Sequence, residues 1–311
     1  MCIAPKIFAR VFLSLFIAIS SSATLSAQAI QVSDSLGAKT LAQIPVRAVV
    51  LDWDLLEQVI ELGIMPVGAP EISSYQHWVI QPAIDSSVLD VGTRSEPNLE
   101  IIAELNPDVI IISATQIDLM PALEKIAPVL YYSNFAKQDK HAQLAIKHFK
   151  QLAQVFAKST LAVQKLQGMN TELSRLKAQL ATALHSDKAA VLLMRLASQT
   201  SSFVYAENSI PHYALQALGL SAALPQKPAK WGIVQKRLSE LQHINEGYVL
   251  YILPFAQEQQ LKRSILWRAL PFVQQNRVNA VRSVWSYGGA MSILYTAQAI
   301  TESLLELVET Q

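Results

Sequence analysis

The chain has 311 residues, 51% of them hydrophobic, with 25 Lys and Arg against 24 Asp and Glu and a formal net charge of +1. So even a balance offers no basic stripe to nucleic acid or any other polyanion. The length exceeds what one small domain needs, which favours two lobes, and the single cysteine, Cys2, excludes a disulfide within the chain.

Residues 1–29 carry Lys6 and Arg10, then the apolar run 11–19, then small residues ending in Ala27-Gln28-Ala29. This is the pattern of a secretory signal peptide with an Ala-x-Ala cleavage site, and its apolar core is too short to span a bilayer. Cleavage near Ala29 would leave 282 residues with no thiol and, without Lys6 and Arg10, 23 basic against 24 acidic side chains. Cys2 precedes the apolar core, so it is not placed as a lipoprotein anchor. The expectation is a soluble periplasmic protein, with an uncleaved signal anchor as the other reading.

Residues 47–51 read as a first buried strand and 52–62 as a helix that stops at Gly63, where a left-handed backbone costs little. The stretch Leu62-Gly63-Ile64-Met65-Pro66-Val67-Gly68 then turns into a second strand, and Tyr75, His77 and Trp78 are expected in the loop after it. The run Asp90-Val91-Gly92-Thr93-Arg94-Ser95-Glu96-Pro97-Asn98-Leu99-Glu100 reads as a loop entering a short helix over 99–105, with Pro97 suited to the first helical turn. Asn106-Pro107 ends that helix. The β-branched residues 109–112 then mark a strand covered on both faces, with Gln116 just past its carboxyl end.

From Leu166 onward, Leu166, Met169, Leu173, Leu176, Leu180 and Leu184 recur at steps of three or four. The stripe predicts one long helix over 159–185, which either joins two lobes or lies on the surface of one. After it the α/β rhythm restarts: strands at 190–196 and 203–206, a helix at 209–218, a helical stretch at 238–244, a strand at 248–253, a closing strand at 283–287 and a final helix at 290–308. In open α/β sheets ligands sit beyond the carboxyl ends of the strands, so the loops of both lobes should face one cleft.

Four of the five tryptophans, Trp53, Trp78, Trp231 and Trp285, fall in predicted loops or at strand ends, and Tyr287 lies two residues past Trp285. Each alone reads as a core or lobe-interface aromatic. Together they suit a cleft for a bulky, largely neutral ligand, because aromatic rings give large rigid contact area. Trp267 has helical spacing and is assigned to packing. Arg94 either reaches such a ligand or pairs with Glu96 or Asp90, and Arg195 either faces the cleft or sits in a surface ion pair.

The run around Arg94 resembles the corresponding segment of periplasmic ferric siderophore-binding proteins, the receptors of class III ABC importers, and above all the ferric hydroxamate receptors. Leu51-Asp52-Trp53, Tyr75-Gln76-His77-Trp78, Lys230-Trp231-Gly232 and Val284-Trp285-Ser286-Tyr287-Gly288 are similar to segments that line those receptors' pocket. The resemblance implies an α/β protein of two Rossmann-like lobes, 30–158 and 186–311, joined by the helix at 159–185, with the ligand cleft between them. It implies ligand contacts from Trp53, Trp78, Arg94, Gln116, Arg195, Trp231, Trp285 and Tyr287. Gln116 stands where the hydroxamate receptors carry a tyrosine, a departure that bears on which siderophore is taken.

The resemblance further implies a ferric siderophore, of hydroxamate type, whose iron is held by the siderophore alone, so no cofactor and no protein metal ligand is expected. Glu100 and Glu240 would dock a monomeric receptor on an inner-membrane ABC permease that works with a cytoplasmic ATPase. A haem or cobalamin receptor of the same fold stays open, with Tyr75 or His77 as an axial ligand, as does a relative without a ligand. An enzyme is not expected: the sequence has neither Gly-x-Ser-x-Gly nor His-Glu-x-x-His, and its six histidines are scattered.

Overall fold

The computed structural model of the protein describes residues 1–2, 29–185 and 189–309, so nearly all of the expected leader lies outside the described residues. A hairpin of β1 (Ile30–Asp34) and β2 (Gly37–Leu41) comes first. It is tied down by Asp34, whose carboxylate accepts from Leu36 N, Gly37 N and, 97 residues on, Tyr131 N.

The first lobe is built on a parallel five-stranded sheet. Its strands are β3 (Ala48–Val50), β4 (Gly68–Ala69), β5 (Leu89–Asp90), β6 (Val109–Ser113) and β7 (Val129–Tyr132), in the order β5-β4-β3-β6-β7. Every residue of β6 is buried, as its unbroken β-branched run requires. Helices α1 (Trp53–Glu61), α2 (Ile72–Trp78), α3 (Leu99–Glu104) and α4 (Met120–Leu123) connect the strands. Asp52 caps α1 by accepting from Trp53 N, and Asn98 caps α3 by accepting from Glu100 N and Ile101 N. Two expectations are corrected here. Tyr75, His77 and Trp78 stand on α2 rather than in a loop. Pro97 precedes the cap of α3 and bridges Gly92, because Asn98 is the better cap.

Helix α5 (His141–Val155) leads to α6 (Ser159–Leu184), the long helix expected over 159–185. Leu166, Met169, Leu173, Leu176 and Leu180 are buried along one face of α6, which packs on α5 and on the last helix. Beyond it, β8 (Ala190–Leu196), β9 (Ser201–Tyr205), β10 (Ser221–Ala222), β11 (Ile233–Arg237), β12 (Tyr248–Ile252) and β13 (Val278–Val281) form the second sheet. Its order is β11-β9-β8-β12-β13, with β10 alongside the start of β8. The sheet is mixed: β8, β12 and β13 are parallel, β9 runs against them, and β11, antiparallel to β9, returns to their direction. Around it lie α7 (Ile210–Ala217), α8 (Glu258–Arg263), α9 (Ile265–Arg268), α10 (Pro271–Gln274) and α11 (Ser292–Glu309).

The closing strand is β13, not residues 283–287. Val278–Val281 supplies the ladder with β12 although its polar Asn279 hides the pattern, and the aromatic segment expected as a strand is the loop after it. The stretch over 238–244 is a 3-10 turn, Leu238–His243. Trp267 is buried against Tyr251 and Phe272, as its spacing indicated.

The two lobes share one apolar core, running from Val50 and Val59 through Phe149 and Leu173 to Leu215 and Ile300. Polar contacts cross the same boundary. Glu57 of α1 accepts from Gly289 N at 2.9 Å and from Ser292 Oγ, and Glu61 pairs with Lys165 of α6 and accepts from Tyr295 Oη. A side chain at Gly289 would run into Gln58, its Cβ 2.3 Å from Gln58 Cγ, so the close approach of the lobes demands glycine there.

Candidate binding cleft

The carboxyl ends of the first sheet open onto a cavity of about 440 Å³. Asp52 follows β3, Glu71 follows β4, Arg94 and Ser95 follow β5, Thr115 follows β6 and Phe135 lies past β7. Trp231, just before β11, and Trp285 and Tyr287, after β13, close it from the second lobe. The volume suits a compact small molecule, and the position is where an α/β sheet binds one.

Arg94 is held in place before any ligand arrives. Its Nε donates to Glu71 Oε2 at 2.8 Å, and its guanidinium carbon lies 3.8 Å from the centroid of the Trp53 ring. The loop beneath is fixed by its own backbone: Gly92, at φ +98°, accepts from Glu71 N through its carbonyl and donates its N–H to Asp90 Oδ1, while Val91 O accepts from Asn98 N at 2.7 Å. Arg94 thus pairs with neither Glu96 nor Asp90 but with Glu71, and among the described residues no hydrogen bond engages its two terminal nitrogens. A planar guanidinium fixed along one edge offers those N–H groups as a fork to oxygen acceptors. Asp52 lies nearby, accepting from Ser113 Oγ and Thr115 Oγ1. Burial raises its carboxyl above the usual aspartate range, against the pull of Ser113 and Arg94.

Three aromatic residues face each other across the lobes. Phe135 stacks on Trp231 at 5.4 Å with the rings 23° apart, and Tyr287 meets both edge-on. Trp231 is 42% exposed, an unusual state for a tryptophan, and its backbone N donates to Phe135 O at 3.0 Å. Both residues hold left-handed backbones, φ +62° and +58°, a cost that surrounding structure has to support and that is concentrated at functional sites. Trp285 packs edge-on against Tyr287 at 5.4 Å and against Trp53 at 5.1 Å.

Several expected site residues stand elsewhere. Gln116 is fully buried behind the cleft: its Nε2 donates to Leu51 O and Arg94 O, and its Oε1 accepts from Ser113 N. With both ends of the amide engaged, it positions the arginine loop and presents nothing to a ligand. Trp53, 2% exposed, lies under Arg94 with its Nε1 donating to Pro70 O, so it is a floor and not a wall. Trp78 and Arg195 are outside the cavity lining and meet each other, with the Arg195 guanidinium carbon 4.9 Å from the Trp78 ring centroid. Tyr75 is buried and donates its hydroxyl to Pro82 O, while His77 is exposed on α2, so neither is placed as an axial ligand in the cleft.

Glu71 and Phe135 are lining residues that the sequence did not single out. Glu71 lies 23 residues from Arg94, a separation with no periodic signature. For Phe135 a signal existed: the apolar run Val129–Tyr132 followed by Ser133-Asn134 marks the end of a buried strand.

Away from the cleft, Glu100 is exposed at the start of α3. Glu240 is exposed too, but reaches back to Arg237 N and lies 3.6 Å from Lys236 Nζ. Among the described residues no helix is long and apolar enough to cross a membrane.

Comparison with known proteins gives one consistent set. The family described as periplasmic binding protein matches residues 48–284. The iron(3+)-hydroxamate-binding protein FhuD of Escherichia coli is 27% identical over 262 residues, 84% of this chain and 87% of its own length. The Fe(3+)-citrate-binding protein YfmC of Bacillus subtilis is 29% identical over 266 residues, 82% and 79% of the two chains. The crystal structure of the Fe3+–Desferal-bound siderophore-binding protein FhuD from Vibrio cholerae superposes with a TM-score of 0.83 at 61% identity, covering 84% of this chain and 98% of that one.

Proposed function

The chain belongs to the periplasmic binding protein family, among its siderophore-binding members, and we propose that it captures an intact ferric hydroxamate siderophore and delivers it to an inner-membrane ABC permease. It is a binding protein and not an enzyme. The observation that carries the reading is the mounting of Arg94, whose free guanidinium edge is aimed into an aromatic cavity by Glu71, Trp53 and the buried Gln116.

Hydroxamate oxygens around Fe(III) carry partial negative charge, so a fixed fork of N–H donors bonds two of them at once. The siderophore fills the iron's coordination sphere, and what the cleft recognises is the outside of a complex. Trp231, Phe135, Trp285 and Tyr287 cover its apolar flanks with rigid rings. Arg195 and Trp78, one step from the cavity, belong to the wall that a larger ligand reaches. The two lobes, 30–158 and 186–311, stay apart in sequence and are joined through residues 159–185. The chain acts as a monomer in the periplasm after removal of residues 1–29. Glu100 and Glu240 offer one carboxylate on each lobe to the permease, whose cytoplasmic ATPase drives import.

Isothermal titration of the protein without its leader with a ferric hydroxamate tests the reading. Arg94→Ala should weaken binding about 10- to 100-fold, the value of charge-assisted hydrogen bonds, with an unchanged circular dichroism spectrum. Wild-type affinity in that variant removes Arg94 from the site.

A further inference from the structure

A second arginine in the molecule lacks everything that holds the first. Arg195, on β8, has Nε and Nη2 buried with no hydrogen-bond partner, and among the described residues no carboxylate lies within 4.0 Å of it. Its neighbours are rings: Trp78 from the first lobe at 4.9 Å and Trp285 from the second at 5.8 Å. Beside it the hydroxyls of Tyr205 and Ser286 have no partner outside their own pair. A cation enclosed in this way is only partly compensated by ring faces, and a covered N–H donor without an acceptor is costly. Arg94, in contrast, is already balanced by Glu71.

We propose that Arg195 receives a carboxylate carried by the ligand outside its iron centre, with Trp78 as the ring that moves to admit it. This rests on the ferric hydroxamate reading and narrows its substrate class to hydroxamate siderophores with an anionic tail. Trp78 is suited to move: it is the last residue of a seven-residue helix and is half-buried. Trp285 is shared between the two arginines, lining the cavity on one side and facing Arg195 on the other. The iron complex at Arg94 and the tail at Arg195 are thus served from one continuous site.

The test uses two probes with the same three hydroxamates, ferric desferrioxamine B, whose tail is an ammonium, and its N-succinyl derivative, whose tail is a carboxylate. Fluorescence titration of the wild type should show the succinyl complex binding at least about tenfold tighter, as one charge-assisted hydrogen bond gives. Arg195→Met should reduce that ratio to about twofold or less, the two complexes being titrated side by side in the same variant. Because the variant removes an unpaired charge, its ligand-free melting temperature should not fall, and the wild-type ratio stands as a test without any variant. Equal affinities in the wild type, or a preference that survives in Arg195→Met, would overturn the assignment and leave the ferric hydroxamate reading intact. If neither iron complex binds, that reading fails and the assignment falls with it.

Discussion

At the scale of single residues, the ligand contact proposed for Arg94 is distinct from the part of Gln116, which holds the Arg94 loop. Both lie at strand ends and both are polar, yet Gln116 has its amide oxygen on Ser113 N and its amide nitrogen on two carbonyls, one of them that of Arg94. Gln116→Leu should therefore lower stability by about 1–3 kcal/mol, the cost of leaving buried groups unpartnered, and should weaken ligand binding as well. Chemical denaturation and titration of the same variant check this, and a loss of affinity with unchanged stability would mean direct contact instead. The sequence shows the aromatic set, because Trp231 and Trp285 break helical spacing and stand next to turn residues. It does not show which way Gln116 points, since that depends on Leu51, 65 residues away. Trp53 is hidden for the same reason: its position after a strand is legible, but its place beneath Arg94 is set by tertiary packing.

Elements were legible where their pattern is continuous. The apolar stripe of α6 and the β-branched run of β6 fall where periodicity puts them, whereas β13 escaped because Asn279 interrupts a four-residue strand. Gly168 sits in α6 where, beyond the helix's own backbone, a Cβ would meet no described atom within 4 Å. Gly168→Ala should stabilise the protein by about 0.4–1 kcal/mol, seen as a melting temperature raised by a few degrees at most. On α5, His148 is buried against Tyr132 with its Nε2 unpartnered, and burial holds its pKa down to about 4 against the usual 6.5. The unfolded chain takes up this proton first, so the stability present above pH 6.5 is lost as pH falls toward 4, by about 3 kcal/mol in all. His148→Phe keeps a ring against Tyr132 and should remove that part of the acid sensitivity. Urea denaturation at pH 7 and pH 4.5 measures it, and an unchanged difference between the two would show that His148 is not its source.

For the molecule as a whole, the continuous core and the Glu57–Gly289–Ser292 contacts fasten the lobes together beside α6, so the cleft is largely formed before binding. The two-lobed plan follows from the restart of the α/β rhythm after α6, and the mixed second sheet does not, because the reversal at β9 comes from a short turn with no strong signature. Delivery is separable from capture. Glu100 is exposed at the start of α3 and lines no part of the cleft, so Glu100→Arg should leave siderophore affinity unchanged and impair iron uptake in cells that depend on this receptor. Normal uptake by that variant would remove Glu100 from the docking surface.

The most direct measurement is the quenching of tryptophan fluorescence in the leaderless protein as it is titrated with ferric desferrioxamine B and with the iron-free compound. Trp231 and Trp285 line the cavity, so saturable quenching by the iron complex, absent with the iron-free form and weakened in Arg94→Ala, is the predicted result. Equal response to both forms, or saturation by haem or cobalamin in place of the hydroxamate complex, would contradict it.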